Sequence, residues 1–179
     1  MVVLDMGDLT PGNALSLLIS KRETAHMQYS EGTIGRIFAL KLESGERIPD
    51  AIEDFAREHA VRSAMVVYVG GAGATSRLVV GPEENRGDDI IPLIHVLGGI
   101  QEVLAVGTLF ADEDGHPKLH MHAATGREGA ATVGCARAGV EVWLIGEVIL
   151  LEISGIGGLR KKDPKTGFHI LQFSDPASK

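Results

Sequence analysis

Residues 140–153 read VEVWLIGEVILLEI and form the longest apolar run of the sequence. A run this continuous predicts a central strand, Val140 to Ile153, that is buried on both faces of a sheet. Glu147 interrupts it. An unpaired carboxylate is costly to bury, so Glu147 is a candidate general base or a hydrogen-bond acceptor for a metal-bound imidazole. The structural alternative is that a nearby arginine or a backbone N–H satisfies the carboxylate.

Segments on the N-terminal side predict elements that pack with this strand. Residues 34–42 have the pattern of a mostly buried strand. Pro49 fits the first turn of a helix, and Asp50 and Glu53 complement the positive end of the helix dipole. Five residues fall at helical spacing and predict a face that packs on the sheet: Ile48, Ile52, Phe55, Ala56 and His59.

Further short apolar segments predict the rest of a sheet. They are 64–69, 77–80, 90–96, 103–110 and 118–124. A hairpin signal at residues 112–115 separates the last two of them. The glycine-rich stretch at residues 70–73 is followed by no Gly-Lys-Ser/Thr, which excludes a phosphate-binding loop. These glycines instead allow a tight turn or the close packing of two backbones.

The composition is that of one folded domain. Among 179 residues, 44% are hydrophobic, 23% are charged and 23 are glycine, which favours an α/β (α+β) domain with more sheet than helix. The net charge of −7 argues against a general attraction to nucleic-acid phosphates or to an anionic membrane. We assign residues 1–30 to an N-terminal extension, 31–174 to the domain and 175–179 to a C-terminal tail.

The single cysteine and the N-terminal sequence bear on location. Cys135 has no second cysteine with which to form an internal disulfide, so cytoplasm is the simplest expectation. The N-terminal residues lack a basic region ahead of an apolar stretch and do not predict a signal peptide. No stretch approaches the roughly 18 to 20 uncharged apolar residues of a membrane span.

The most informative stretch for chemistry is Leu119-His120-Met121-His122-Ala123. Because side chains alternate along a strand, His120 and His122 are predicted to point to the same face. A turn centred near Arg127-Glu128 would place Cys135 opposite His120, so that the three side chains could share one ion. Two imidazoles and a thiolate suit zinc, with a fourth position left open or filled by water. The alternative is two partly exposed strand histidines beside a small buried cysteine.

The only basic cluster offers weak candidates for nucleic-acid contacts. Its members are Arg160, Lys161, Lys162 and Lys165. Such residues can bind phosphates, but a basic run is more often a solvated surface.

In their order and spacing, several segments resemble the PPC (plants and prokaryotes conserved) domain family. The matching stretches are residues 35–42, the helix through 51–59, residues 70–74, residues 119–123 and Asp163-Pro164-Lys165-Thr166-Gly167, which together cover about residues 32–172. The resemblance implies a compact fold with a mostly antiparallel sheet and one main helix, assembled as a homotrimer. Similar prokaryotic members usually have a histidine where this chain has Cys135, after the glycine that corresponds to Gly134, and the exchange keeps a residue that can bind a metal.

The resemblance also bears on function. Plant members carry a basic motif centred on Arg-Gly-Arg that enters the minor groove of DNA, and this chain has no such motif. DNA is therefore a partner by family association only. We expect a stand-alone, trimeric PPC-type protein that binds a divalent metal, most simply zinc, as a regulatory or DNA-associated module. The alternatives are a metal-dependent, hydrolase-like enzyme and a small-molecule sensor that uses the same His/Cys pocket.

Overall fold

A computed structural model describes residues 27–83 and 90–173 of the chain. Strands account for 62% of these residues and helix for 9%. The expected predominance of sheet is confirmed, but the domain is largely β, so the α/β class overstates its helix content. Most of the predicted extension 1–30 and all of the tail 175–179 lie outside the described residues.

The described residues form eleven strands and one α-helix. In chain order they are β1 (Thr33–Leu42), β2 (Arg47–Ile48), α1 (Asp50–Glu58), β3 (Ser63–Ala72), β4 (Arg77–Pro82), β5 (Pro92–Val96), β6 (Gln101–Ala111), β7 (Pro117–Arg127), β8 (Ala130–Cys135), β9 (Val140–Ser154), β10 (Gly158–Lys162) and β11 (His169–Phe173). A short 3₁₀ turn, Ala136–Ala138, joins β8 to β9. No helix in the described residues is long and apolar enough to cross a membrane.

Nine strands make one sheet in the order β1-β9-β3-β6-β7-β8-β4-β5, and β2 adds to the side of β9. Strands β10 and β11 form a separate pair. Every strand pair is antiparallel, as the family resemblance implied. The long strand β9 lies between β1 and β3, so it is an interior strand, but it is second from the edge of the sheet rather than central.

The core lies on one face of this sheet, under α1. Ile52 and Ala56 of the helix are fully buried, as predicted. Of the other predicted members of this face, Ile48 lies in β2, and His59 lies beyond the end of the helix and is exposed. Ile52 and Ala56 belong to one cluster with inward residues of the sheet such as Val66, Leu109 and Met121. Because successive strand residues point to opposite faces, each strand that contributes to this core also presents a second set of side chains on the far side.

That outer face corrects the prediction that β9 is buried on both sides. Val148 and Leu150 point inward and are fully buried, whereas Ile145 is 62% exposed and Ile149 is 43% exposed. Within the described residues, α1 covers only one face of the sheet, so the apolar side chains of β9 on the other face, such as Ile145 and Ile149, point outward. Glu147 also lies on the outer face and is exposed, so it does not need the buried partner that the sequence predicted.

The glycines at residues 70–73 let two backbones approach closely. A Cβ at Gly70 would lie 2.1 Å from the carbonyl oxygen of Ile145, and one at Gly71 would lie 2.6 Å from that of Trp143. Neither distance is possible for a side chain, so β3 and β9 can pair here only with glycine. Strand β3 accordingly runs on to Ala72 rather than ending before the glycines.

Candidate metal centre and its cleft

Strand β7 places the two histidines on the outer face of the sheet. Leu119 and Met121 point into the core, whereas His120 and His122 are exposed. The alternation predicted from the sequence is therefore confirmed, and both imidazoles share one face. Their ring centroids lie 5.1 Å apart with the planes at 81°.

The hairpin from β7 to β8 brings Cys135 to the same place. The turn is centred on Glu128 and Gly129, which both have positive φ angles of 53° and 81°. Cys135 therefore pairs with His122. The sequence predicted His120 as its partner, because it placed the turn one residue earlier. Cys135 is 4% exposed.

A glycine holds Cys135 in position. A Cβ on Gly134 would lie 2.8 Å from the carbonyl oxygen of Val79 and 2.9 Å from the Cβ of Leu78. Only glycine lets β8 approach β4 this closely, and Cys135 itself pairs with Val79 of that strand. The cysteine is thus fixed between β7 and β4.

The three candidate ligand atoms, one each from His120, His122 and Cys135, all lie within 4.8 Å of one another. Ligands bound at about 2.0 to 2.3 Å in a tetrahedron are separated by roughly 3.4 to 3.8 Å. At most about 1.4 Å of closure is needed, which rotation of two exposed imidazoles can supply. The geometry and the donor atoms fit a zinc ion with one position left open.

The protonation of His120 also fits a ligand role. Burial lowers the pKa of His120, and the positive charges of Arg160, His122 and Arg137 lower it further. The neutral imidazole, which is the form that binds metals, is therefore favoured at neutral pH. Among the described residues, no protein group hydrogen-bonds to either ring, so none of them competes with a metal for the ring nitrogens.

A second group of metal-capable residues lies in the β6–β7 turn. Asp112, Asp114 and His116 also bring ligand atoms within 4.8 Å. Oδ1 of Asp112, however, accepts hydrogen bonds from the backbone N–H groups of Asp114 and His116 at 3.1 and 2.8 Å. The turn uses this carboxylate to hold its own backbone, so this group is the weaker candidate.

A cleft of about 660 Å³ opens beside His120. Its lining includes His120 and Cys135 together with Glu53 from α1, Thr108 from β6 and Arg160 from β10. The segment that leads into β11 closes another side through Gly167 and Phe168 and the first residues of the strand. The cleft thus places two of the three candidate ligands, His120 and Cys135, beside groups from α1, β6, β10 and the segment that leads into β11.

Arg160 differs most from its sequence-based interpretation. The sequence predicts that it belongs to a solvated basic cluster, but it is only 5% exposed. Its Nε donates to the carbonyl oxygen of Lys118 at 3.2 Å, and its Nη2 donates to the carbonyl oxygen and Oγ1 of Thr108 at 3.0 and 2.9 Å. The lysines 161, 162 and 165 do not line the cleft, so the four residues do not form one surface.

Glu147 does not lie beside the histidines. It pairs with Val69 in β3, and two further strand spacings separate β3 from β7. Strand β9, which carries Glu147, is therefore three strand spacings from β7. At about 4.8 Å per spacing, β9 and β7 lie roughly 14 Å apart. The carboxylate that lines the cleft is Glu53, whose Oε1 accepts a hydrogen bond from the backbone N–H of Leu119 at 2.8 Å.

Sequence reasoning missed three contributors to the cleft. The sequence marks Glu53 only as a helix-dipole residue, whereas burial raises its pKa above the usual value. Arg137 and Phe168 do not stand out in the sequence, although the guanidinium carbon of Arg137 lies 5.1 Å from the centroid of the Phe168 ring. Their positions in the sequence could have indicated both residues. Arg137 lies two residues after Cys135, and Phe168 directly follows the Asp163–Gly167 stretch that carries the family resemblance.

Solved structures share this fold. A metal-containing protein from Archaeoglobus fulgidus is 24% identical, with a TM-score of 0.69 over 82% of this chain and 99% of that one. A plant- and prokaryote-conserved protein from Pyrococcus horikoshii is 20% identical, with a TM-score of 0.68 over 83% and 99%. A candidate DNA-binding protein from Bacteroides thetaiotaomicron is 18% identical, with a TM-score of 0.62 over 79% and 97%. At these identities the likeness establishes the fold.

Sequence comparison identifies the family. No curated protein matches the chain. The profile of the Plants and Prokaryotes Conserved (PCC, also written PPC) domain matches residues 29–154, which include β1 to β9, helix α1 and all three candidate metal ligands. The suspected relationship is confirmed, and the chain belongs to the PCC domain family.

Proposed function

We propose that this PCC-domain protein binds one zinc ion through His120, His122 and Cys135 and acts as a regulatory module. The observation that carries the proposal is the convergence of two imidazoles and one thiol within 4.8 Å, from two strands of one hairpin. Nitrogen and sulfur donors favour zinc over magnesium or calcium, which prefer oxygen. Three protein ligands leave one position open, as in sites that bind a ligand or a substrate.

The cleft supports a binding role for that open position. His120 and Cys135 both line it, so a small molecule in the cleft would lie beside the ion. The Archaeoglobus fulgidus protein of the same fold is a metal-containing protein, and this supports the presence of a metal here. We therefore place small-molecule sensing within the proposed function, with DNA association as its output.

We further propose that the chain forms a homotrimer. The outer face of the sheet carries exposed apolar residues that are neighbours across the strands: Val69 on β3, Leu104 and Val106 on β6, and Ile149 on β9. A contiguous apolar face of this kind marks an interaction surface. Val106 pairs with His122, so a subunit that covers this face would lie next to the candidate metal centre.

The support for DNA as a partner is weaker. Two solved structures of this fold are named as candidate DNA-binding proteins, and the family association is the reason for including DNA. The net charge of this chain is −7, and the guanidinium of Arg160 is buried. An association through another protein fits these charges better than direct contact with phosphates. A cytoplasmic location remains a prediction.

One observation favours a metal-dependent, hydrolase-like enzyme as the second candidate. Glu53 lines the cleft with His120, and burial raises its pKa. A carboxylate whose pKa is raised by burial is better suited to accept and return a proton than an exposed one. Zinc with an open position would supply a water of lowered pKa. Loss of turnover in Glu53→Gln, with zinc content unchanged, would favour the enzyme over the sensor.

Elemental analysis of protein purified without chelator tests the metal proposal. We expect about one zinc per chain in the wild type and near-complete loss in His122→Ala. Cys135→His should retain the ion, because imidazole can replace thiolate as a ligand. His116→Ala is the matched control, since it removes a histidine from the second group in the β6–β7 turn. Full occupancy in His122→Ala, or loss in His116→Ala, would contradict the assignment.

A further inference from the structure

We infer that the cleft beside His120 is a binding site for a small organic carboxylate, whose anionic end pairs with Arg160 and whose apolar part packs against the segment 168–171. The inference rests on the proposed function in one respect, because it assigns a ligand class to the cleft that adjoins the open metal position. Its structural basis is the chemistry of the cleft lining.

The first observation is a buried cation without an anionic partner. Arg160 is 5% exposed, and no carboxylate lies within 4.0 Å of its nitrogens among the described residues. Its Nε and Nη2 bond to neutral oxygens of Lys118 and Thr108, while Nη1 donates to none of the described protein groups. Burying a guanidinium is costly unless an anion compensates it. Because no fully buried polar atom of the described residues is left without a partner, Nη1 is not fully buried, and Arg160 is one of the residues that line the cleft.

The second observation is the charge balance of the lining. Among the described residues that line the cleft, Glu53 is the only acidic one, and its carboxylate lies 3.9 Å from Nζ of Lys118, so these two charges offset each other. Cys135 and Glu53 favour the charged form of Arg160 at longer range. Among the described residues, however, neither Arg160 nor Arg137 forms an ion pair within 4.0 Å. Arg137 also lines a neighbouring cleft of about 450 Å³ that contains His122. Its guanidinium lies over the ring of Phe168, a residue that lines both clefts. An anion in the larger cleft would therefore face two guanidinium groups.

The third observation is the apolar character of the remaining wall. Leu119, Phe168, Ile170 and Leu171 all line the cleft. Its volume of about 660 Å³ falls within the range of roughly 300 to 1,000 Å³ that small-molecule sites occupy. One charged end and one apolar wall fit a carboxylate with a hydrocarbon body.

Phosphate fits this lining less well. Sites for phosphate surround the group with several donors, commonly backbone N–H groups at a glycine-rich turn or a helix N-terminus. In this cleft the charged donors outside an ion pair are the side chains of Arg137 and Arg160, and four apolar residues also line it. Nη1 of Arg160 keeps two N–H groups that can donate to one carboxylate.

Calorimetric titration of the full-length chain, purified without chelator, tests the inference. The probes are hexanoate, acetate, hexanamide and inorganic phosphate. We expect hexanoate to bind more tightly than acetate, because it reaches the apolar wall, and at least tenfold more tightly than hexanamide, which lacks the charge. Equal binding of hexanamide, or tighter binding of phosphate than of hexanoate, would overturn the inference.

Variants connect the binding to Arg160. Arg160→Gln should weaken hexanoate binding by roughly tenfold to a hundredfold, the effect of losing a charged hydrogen-bond partner. Lys162→Gln is the matched control, since it removes one charge from the same strand outside the cleft, and it should change binding by less than about twofold. If Arg160→Gln does not fold, Arg137→Gln replaces it, because that exposed side chain can be removed without disturbing the core. Unchanged affinity in the variant that folds would overturn the inference.

Zinc content measured on each sample separates this inference from the proposed function. Hexanoate binding that depends on Arg160 in a protein without zinc would support the carboxylate site and contradict the metal proposal. Full zinc content with no hexanoate binding would contradict the carboxylate site and leave the metal proposal supported.

Discussion

Replacing Gly134 with alanine tests whether close packing of β8 on β4 builds the candidate metal centre. The new Cβ would lie 2.8 Å from the Val79 carbonyl oxygen and 2.9 Å from the Leu78 Cβ, and both of these residues are buried. Carbon needs about 3.4 Å or more in ordinary contact, so β8 must move by several tenths of an ångström. Overpacking of this kind typically costs about 1 to 3 kcal/mol of unfolding free energy.

Gly126→Ala is a matched control for this substitution. It lies in β7, the partner strand of the same hairpin, and its added Cβ would meet nothing closer than the Ala130 carbonyl oxygen at 3.7 Å. We expect its unfolding free energy to stay within about 0.5 kcal/mol of the wild type. Denaturant unfolding at one fixed chain concentration, with zinc content measured in parallel, is the assay.

The expected result has two parts. Gly134→Ala should unfold more readily and should also bind zinc more weakly, because the residue that shifts adjoins Cys135. If Gly134→Ala and Gly126→Ala have equal stability and equal zinc content, the close approach of the two strands does not position the site, and the reasoning fails.

Three further predictions concern assembly, acid stability and DNA. Light scattering should give a mass of three times the 19.0 kDa chain, and Leu104→Glu on the outer face should shift the mass toward that of one chain; a wild-type mass of one chain at micromolar concentration would contradict the trimer. Hydrogen bonds from Arg36 lower the pKa of Glu152 to about 2, so the stability that this pair contributes is present above the usual pKa of 4.5 and is lost as the pH falls toward 2. The difference in melting temperature between wild type and Arg36→Gln should therefore shrink between pH 6 and pH 3, and a constant difference would show that the ion pair is not its cause. Binding to a random DNA duplex should be weak at physiological salt, as a titration at two salt concentrations would show; sub-micromolar affinity with a steep salt dependence would reveal a basic surface that one chain does not display.

Local patterns in the sequence predicted much of the fold. Alternation in β7 correctly placed both histidines on one face, and the spacing of Ile52 and Ala56 correctly identified the buried side of α1. These predictions succeeded because each depends only on the repeat of its own element.

The errors arose where a second element decides the outcome. The apolar run of β9 gave no sign that one face lies open, since a strand buried on both faces has the same continuous run of apolar side chains. The predicted partner of Cys135 was wrong by two residues, because the turn is centred one residue later than predicted, on Glu128 and Gly129. Moving the centre of a hairpin by one residue changes each cross-strand partner by two. Arg160 looked like surface because its neighbours are lysines, whereas the oxygens of Lys118 and Thr108 that accept its hydrogen bonds lie on strands distant in sequence.

The zinc coordination of the purified protein tests the central proposal most directly. X-ray absorption at the zinc edge should show one sulfur at about 2.3 Å together with nitrogen or oxygen ligands at about 2.0 to 2.1 Å. Cys135→Ser should remove the sulfur signal without changing the nitrogen shell. A protein that carries no zinc, or zinc whose ligands include no sulfur in the wild type, would contradict a centre built from His120, His122 and Cys135.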